Sequence, residues 1–154
     1  ERHARRIVRH RITDVGTAIL NELVPPDVTY RNLAAVQEVT GLAYTAFVTG
    51  DIGAARRIEP LEQVIDDLKE ELRTRHIRRM QQGTCGIEAG FIWSDLLTDL
   101  ERVSDHCSNI ACCIVEGIDH NLHRHEVLQS IRENSASFDA DYAAFRGKYA
   151  LAAE

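Results

Sequence analysis

Apolar and polar positions alternate along this chain with a helical period almost throughout. Between residues 2 and 24, Val8, Ile12, Val15, Ile19 and Leu23 recur at steps of four and three, the spacing that lines one face of an α-helix. Pro25-Pro26-Asp27 ends that pattern, because proline disfavours helical conformation in its predecessor. A second helix is expected from about Tyr30 to Thr49, with the seam Leu33, Val36, Thr40, Ala43 and Phe47. Gly50-Asp51 marks a turn, and Asp51 is placed to cap the next helix. That helix covers Ile52 to Gln81 on the seam Ile58, Leu61, Ile65, Leu68 and Leu72. Pro60 demands a kink or break near Ile58-Glu59, and Gly83 closes the element. The longest pattern follows, from about Cys85 to Asp119, with Thr84 as its cap. Leu96, Leu100, Val103, Cys107, Ile110 and Ile114 form its seam. A polar link, His120 to Arg124, leads to a last helix from His125 to about Leu151 carrying Val127, Leu128, Ile131, Phe138, Tyr142, Phe145 and Tyr149. No stretch alternates with the two-residue period of a strand. The pattern predicts an all-α, antiparallel up-and-down helical bundle in one domain spanning residues 1–154.

Composition adjusts this picture little. Of 154 residues, 44% are hydrophobic and 27% charged, which suits a globular chain with a substantial core. The net charge of −6 is uneven: five arginines against Glu1, Asp14 and Glu22 give residues 1–25 a charge of +2, leaving −8 for the rest. That acidic balance argues against a nucleic-acid partner. The apolar run Ile110 to Val115 is far short of the roughly 20 residues needed to span a bilayer. Absence of an initiator Met points to excision from a longer chain. Cys85, Cys107, Cys112 and Cys113 lack CxxC spacing and read as small buried thiols in a reducing compartment.

The chemistry is concentrated on two helices that carry the same device. Glu62 and Asp66 stand one turn apart on one, and Glu101 and Asp105 one turn apart on the other. If the helices are antiparallel, four carboxylates can line one groove. Such a set suits a divalent metal such as Mg²⁺, Ca²⁺ or Mn²⁺, or iron. Asn109, a turn beyond Asp105, can add an oxygen or orient a ligand. The same spacing is common on solvated helix faces balanced by neighbours such as Lys69 and Arg102. His120, His123 and His125 cluster in the last link and read more simply as solvated residues than as ligands. His76 and His106 read as surface or boundary positions. Glu-x-x-His spacing is missing, which excludes a ferritin-like di-iron centre. Neither a nucleophile elbow, a phosphate loop nor a dinucleotide turn occurs, and no enzyme is expected.

Glu101-Arg-Val-Ser-Asp105-His-Cys-Ser-Asn109-Ile-Ala resembles the PhoU signature, and Glu62-x-x-x-Asp66 resembles that family's other acidic motif. Ile58 to Asp67, Arg75-His-Ile77, Ile87-Glu-Ala-Gly-Phe91 and Ser94 to Thr98 are similar to the PhoU-like cytoplasmic domain at the C-terminus of bacterial sodium/phosphate cotransporters. The resemblance implies a PhoU-like three-helix repeat over residues 30–120, flanked by a leading helix (1–25) and a C-terminal helix (121–154). It further implies a regulatory role in phosphate transport at the cytoplasmic face of the membrane. The partner is then the transmembrane part of the same parent chain or a separate transporter. Glu62, Asp66, Glu101, Asp105 and Asn109 become its metal-site candidates. Only one full repeat is legible, so a second site calls for another copy upstream or a homodimer. A free-standing PhoU-type regulator is the alternative, and a carboxylate-metal hydrolase a more distant one.

Overall fold

The computed structural model describes residues 26–118 and 135–152. Among the described residues every regular element is an α-helix: α1 (Pro26–Thr49), α2 (Ile52–Arg56), α3 (Ile58–Gln81), α4 (Ile87–Ile118) and α5 (Ser135–Tyr149). The leading helix, the histidine cluster of the last link and the first part of the final helix lie outside the described residues.

Helix ends follow local chemistry, with some corrections. Helix α1 begins at Pro26, earlier than expected, since a proline in the first turn gives up only an N–H that has no intrahelical acceptor. Asp51 caps α2 as expected, its Oδ1 accepting from the Ala54 N–H at 3.1 Å. The break demanded by Pro60 falls at Arg57, leaving the proline as the third residue of α3, where its missing N–H is harmless. At the far end of α3, Gly83 adopts φ +70°. This lets its N–H reach the Met80 carbonyl (3.1 Å) and the Thr84 N–H reach that of Arg79 (3.0 Å). The Thr84 hydroxyl donates to the same Arg79 carbonyl at 3.0 Å. Thr84 therefore closes α3 rather than opening α4, which starts at Ile87.

The long helices run alternately up and down. Ser108 meets Glu59 near the start of α3 and Glu101 meets Lys69 farther along it, so α3 and α4 are antiparallel. Thr40 on α1 bonds Cys107, and Phe47 lies beside Ile110 and Ile114, so α1 and α4 run the same way. Helix α5 follows α3, from Asp141 at Arg57 (3.7 Å) to Leu151, packed in the cluster of Leu72. It is tied to α1 through Tyr149 and Lys148, which both bond the Glu38 carboxylate.

The seam of α3 is buried as read: Ile58, Leu61, Ile65, Leu68 and Leu72 are all in the core. Two other seams are rotated. On α1 the buried positions are Asn32, Ala35, Val36, Val39, Ala43 and Ala46, whereas Thr40 is exposed and Phe47 is 72% exposed. On α4 they are Trp93, Leu97, Ser104, Cys107, Ala111, Cys112 and Val115, while Val103 and Ile110 face partly outward. The reason is distance. α1 and α4 pack against each other as well as against α3, and alanine, serine and cysteine permit the close approach that isoleucine and phenylalanine obstruct. Tyr44, Phe47 and Val48 are left exposed on α1.

Candidate functional site

Asp66, Glu101 and Asp105, three of the four carboxylates expected to share a groove, meet between α3 and α4, and Glu62 stands one turn from Asp66 on the same row of α3. Glu59, Glu62, Asp66 and Lys69 succeed one another at steps of three and four along α3, and Glu101, Asp105 and Ser108 do so along α4. Antiparallel packing sets these rows against each other. One end is fastened by the Ser108 hydroxyl, which donates to Glu59 Oε2 at 2.7 Å. The other is fastened by Lys69 Nζ, 2.8 Å from Glu101 Oε2.

Electrostatics confirm that Asp66, Glu101 and Asp105 share one neighbourhood. Burial pushes the Asp66 carboxyl above its ordinary range, and the negative charges of Glu101, Asp105 and Asp67 push the same way against Lys69. Asp66 Oδ1 is buried without a hydrogen-bond partner among the described residues. Glu62 and Glu101 are half-buried, and Asp105 is exposed. Asn109 lines the groove beside α1 with Phe47, His106, Ile110, Cys113 and Ile114. The structure thus brings Asp66, Glu101 and Asp105 into one neighbourhood, and Asn109, one turn beyond Asp105, also lines the groove beside α1.

A hard cation can be tested against these residues directly. The donors are oxygens, one of them is orphaned, and burial together with the Glu101, Asp105 and Asp67 charges raises the Asp66 pKa. Against this, among the described residues no three His, Cys, Asp or Glu side chains converge as ready metal ligands. The Lys69 ammonium already occupies one side of Glu101. The seam has the chemistry for a cation without a closed cage.

Two members of this seam escaped the sequence reading. Glu59 is only 4% exposed, and Ser108 is its partner. The available signal was periodic: Glu59 lies three residues before Glu62, and Ser108 three after Asp105, extending each acidic row by a turn. His76 is a correction of another kind. It is buried between α3 and α4, not on the surface, because it continues the Leu68, Leu72 row at the next step of four. The four cysteines are free thiols; Cys107 and Cys112 are buried, but Cys113 is exposed.

A family model described as PhoU domain matches residues 31–114, from the first turns of α1 to the last of α4, and both acidic motifs fall inside that span. The chain is also similar to the phosphate-specific transport system accessory protein PhoU homolog 1 of Thermotoga maritima. It is 30% identical to that protein over 98 residues, which is 64% of this chain and 42% of the relative. No solved structure matches the chain. An all-helical bundle whose antiparallel α3 and α4 carry both acidic motifs, within a family match covering more than half its length, places the chain in the PhoU domain family.

Proposed function

We propose that this chain is a non-catalytic regulatory module in the control of phosphate uptake, acting on a transporter at the cytoplasmic face of the membrane. The observation that carries this reading is the PhoU match across α1 to α4. The Thermotoga relative, named as an accessory protein of phosphate-specific transport, supports it. Among the described residues no helix is long and apolar enough to cross a membrane, so translocation would belong to other helices.

The transporter is a sodium-dependent phosphate cotransporter of which this domain forms the tail. Arg75-His-Ile77 and Ile87-Glu-Ala-Gly-Phe91 support that assignment. A second reading, a separate regulator of an independent transporter, is favoured by the relative's name. In either case the acidic seam is the control point. Glu62, Asp66, Glu101 and Asp105 would hold a divalent metal or iron, which would neutralise like charges between α3 and α4 and tighten their packing. A homodimer would supply a second such seam.

Deleting only these codons from the parent gene tests the function. Phosphate uptake that persists but no longer falls when external phosphate is high is expected. Uptake regulated as before would overturn the reading. Sodium dependence of the deregulated flux separates the tail of a cotransporter from a separate regulator.

A further inference from the structure

Helices α1 and α4 each carry a second apolar stripe beside the one packed in the core. On α4 it is Val103 and Ile110, 40% and 41% exposed, with the half-buried Leu96 and Ile114 in line. On α1 it is Tyr44 and Phe47, 70% and 72% exposed, in line with Thr40 and the half-buried Leu33. Each set recurs at helical steps of three, four or seven, which keeps it on one face. The two stripes meet in a groove of about 620 Å³ where Phe47 stands beside Ile110 and Ile114. Helix α5 leaves this face alone, because it holds α1 through Glu38 and the Ala34 carbonyl. Single exposed apolar residues are ordinary, but two aligned stripes flanking a groove mark a contact surface.

The chain carries an occupant of matching length. Residues 2–24 lie outside the described residues, and their sequence sets Val8, Ile12, Val15, Ile19 and Leu23 at the spacing of one helical face. Pro25 leads straight into α1 at Pro26, and so short a link makes successive helices antiparallel neighbours. At about 1.5 Å per residue, antiparallel pairing puts residues equally distant from Pro26 at equal heights. Ile19 and Leu33 are each seven residues from Pro26, Ile12 and Thr40 fourteen, and Val8 and Tyr44 eighteen. The two stripes therefore fall level along their length. Where the bulky Ile12 arrives, α1 presents Thr40 and Gly41, and a Cβ built on Gly41 meets nothing within 4 Å.

Charge agrees with this register. It carries Arg2, Arg5, Arg6, Arg9 and Arg11 toward the C-terminal ends of α1 and α4. Those ends lie side by side, and neither helix has a basic residue in its last turn. Unpaired carbonyls at two parallel helix C-termini favour cations, and Glu116 adds a negative charge to α4 there.

We propose that residues 2–24 dock as a helix on the α1–α4 face, antiparallel to both. Attachment at Pro26 makes the docking intramolecular, which favours this segment over a second copy of the chain. The largest exposed apolar face of the bundle then belongs to the chain's own packing, and a transporter would be met elsewhere.

Cys113 is an exposed thiol in the groove and serves as the reporter. In the full chain, Val8→Cys puts a thiol on the seam and His10→Cys puts one on the opposite helical face. After treatment with a short bismaleimide and peptide mapping, the Val8→Cys variant is expected to link to Cys113 within one chain, several times more than the His10→Cys variant. Independently, Ile12→Asp/Ile19→Asp should speed alkylation of Cys113 about tenfold over the parent protein, while the buried Cys107 and Cys112 stay protected. Linkage that is absent, or equal in the two cysteine variants, would overturn the proposal, as would an unchanged alkylation rate. Linkage chiefly between chains would overturn it in favour of a second copy on this face.

Discussion

The Ser108 hydroxyl donates to the Glu59 carboxylate across 2.7 Å, and this bond joins α4 to α3 at an acid that is only 4% exposed. A carboxylate drawn that far from water depends on its donors. Ser108→Ala is expected to lower stability by about 1–2 kcal/mol in chemical denaturation, more than a surface Ser→Ala change. Loss below about 0.3 kcal/mol would show that Glu59 does not need this donor.

Asp66 makes the seam sensitive to pH. Its folded pKa is raised, mainly by burial and the Glu101 charge, so the folded state holds the proton more tightly than the unfolded chain. Its contribution is full below the ordinary carboxylate value of about 3.9 and is lost as pH rises through the raised value. In chelator at pH 7, Asp66→Asn is expected to be more stable than the parent by about 0.5–1 kcal/mol, since solvent screens a half-buried group. The advantage shrinks toward pH 4. Thermal midpoints across that range measure it.

Divalent cation should reverse that ranking. Millimolar Mg²⁺ or Mn²⁺ is expected to raise the melting point of the parent protein and to leave Asp66→Asn unmoved, by the ordinary linkage of binding to folding. Lys69→Gln removes the ammonium that lies 2.8 Å from Glu101 and should strengthen the response severalfold. A cation effect equal in all three proteins would place the ion elsewhere.

His76 pulls in the opposite direction from Asp66. Burial, followed by Arg79, depresses its folded pKa, so its contribution is present above the ordinary imidazole value of about 6.5 and is lost as pH falls through the lowered value. Relative to His76→Gln, the parent protein should lose stability between pH 7.5 and pH 5.5, read as a shift in urea midpoint.

Gly83 at φ +70° should tolerate no side chain freely. No atom crowds its Cβ position within 4 Å, so the cost of Gly83→Ala is conformational, about 1–2 kcal/mol. Gly86→Ala, at an open position with no such φ requirement, is the control.

How much of this was legible in the sequence differs between helices. On α3 the large apolar residues are also the inward ones, so periodicity identified Ile58, Leu61, Ile65, Leu68 and Leu72 as core. On α4 two adjacent faces are apolar, and a reading weighted by size selected Val103 and Ile110 over Ser104 and Ala111. Small residues declare themselves as core only when a neighbouring helix is close enough to need them. Thr84 illustrates the same limit at short range: its type marks a helix end, but only the fold shows that it closes α3.

The sequence by itself determined the helical class, the Asp51 cap, the break before Pro60 and the two acidic pairs, because each depends on neighbours within a few turns. Tertiary structure alone decided that Glu59 would meet Ser108, that Lys69 would cover Glu101, and that His76 and Trp93 would be buried beside one cavity. These relations join residues on different helices, and they depend on which faces turn toward each other. Helical period restricts that choice to a stripe; the volume of the side chains packed between helices selects the register within it.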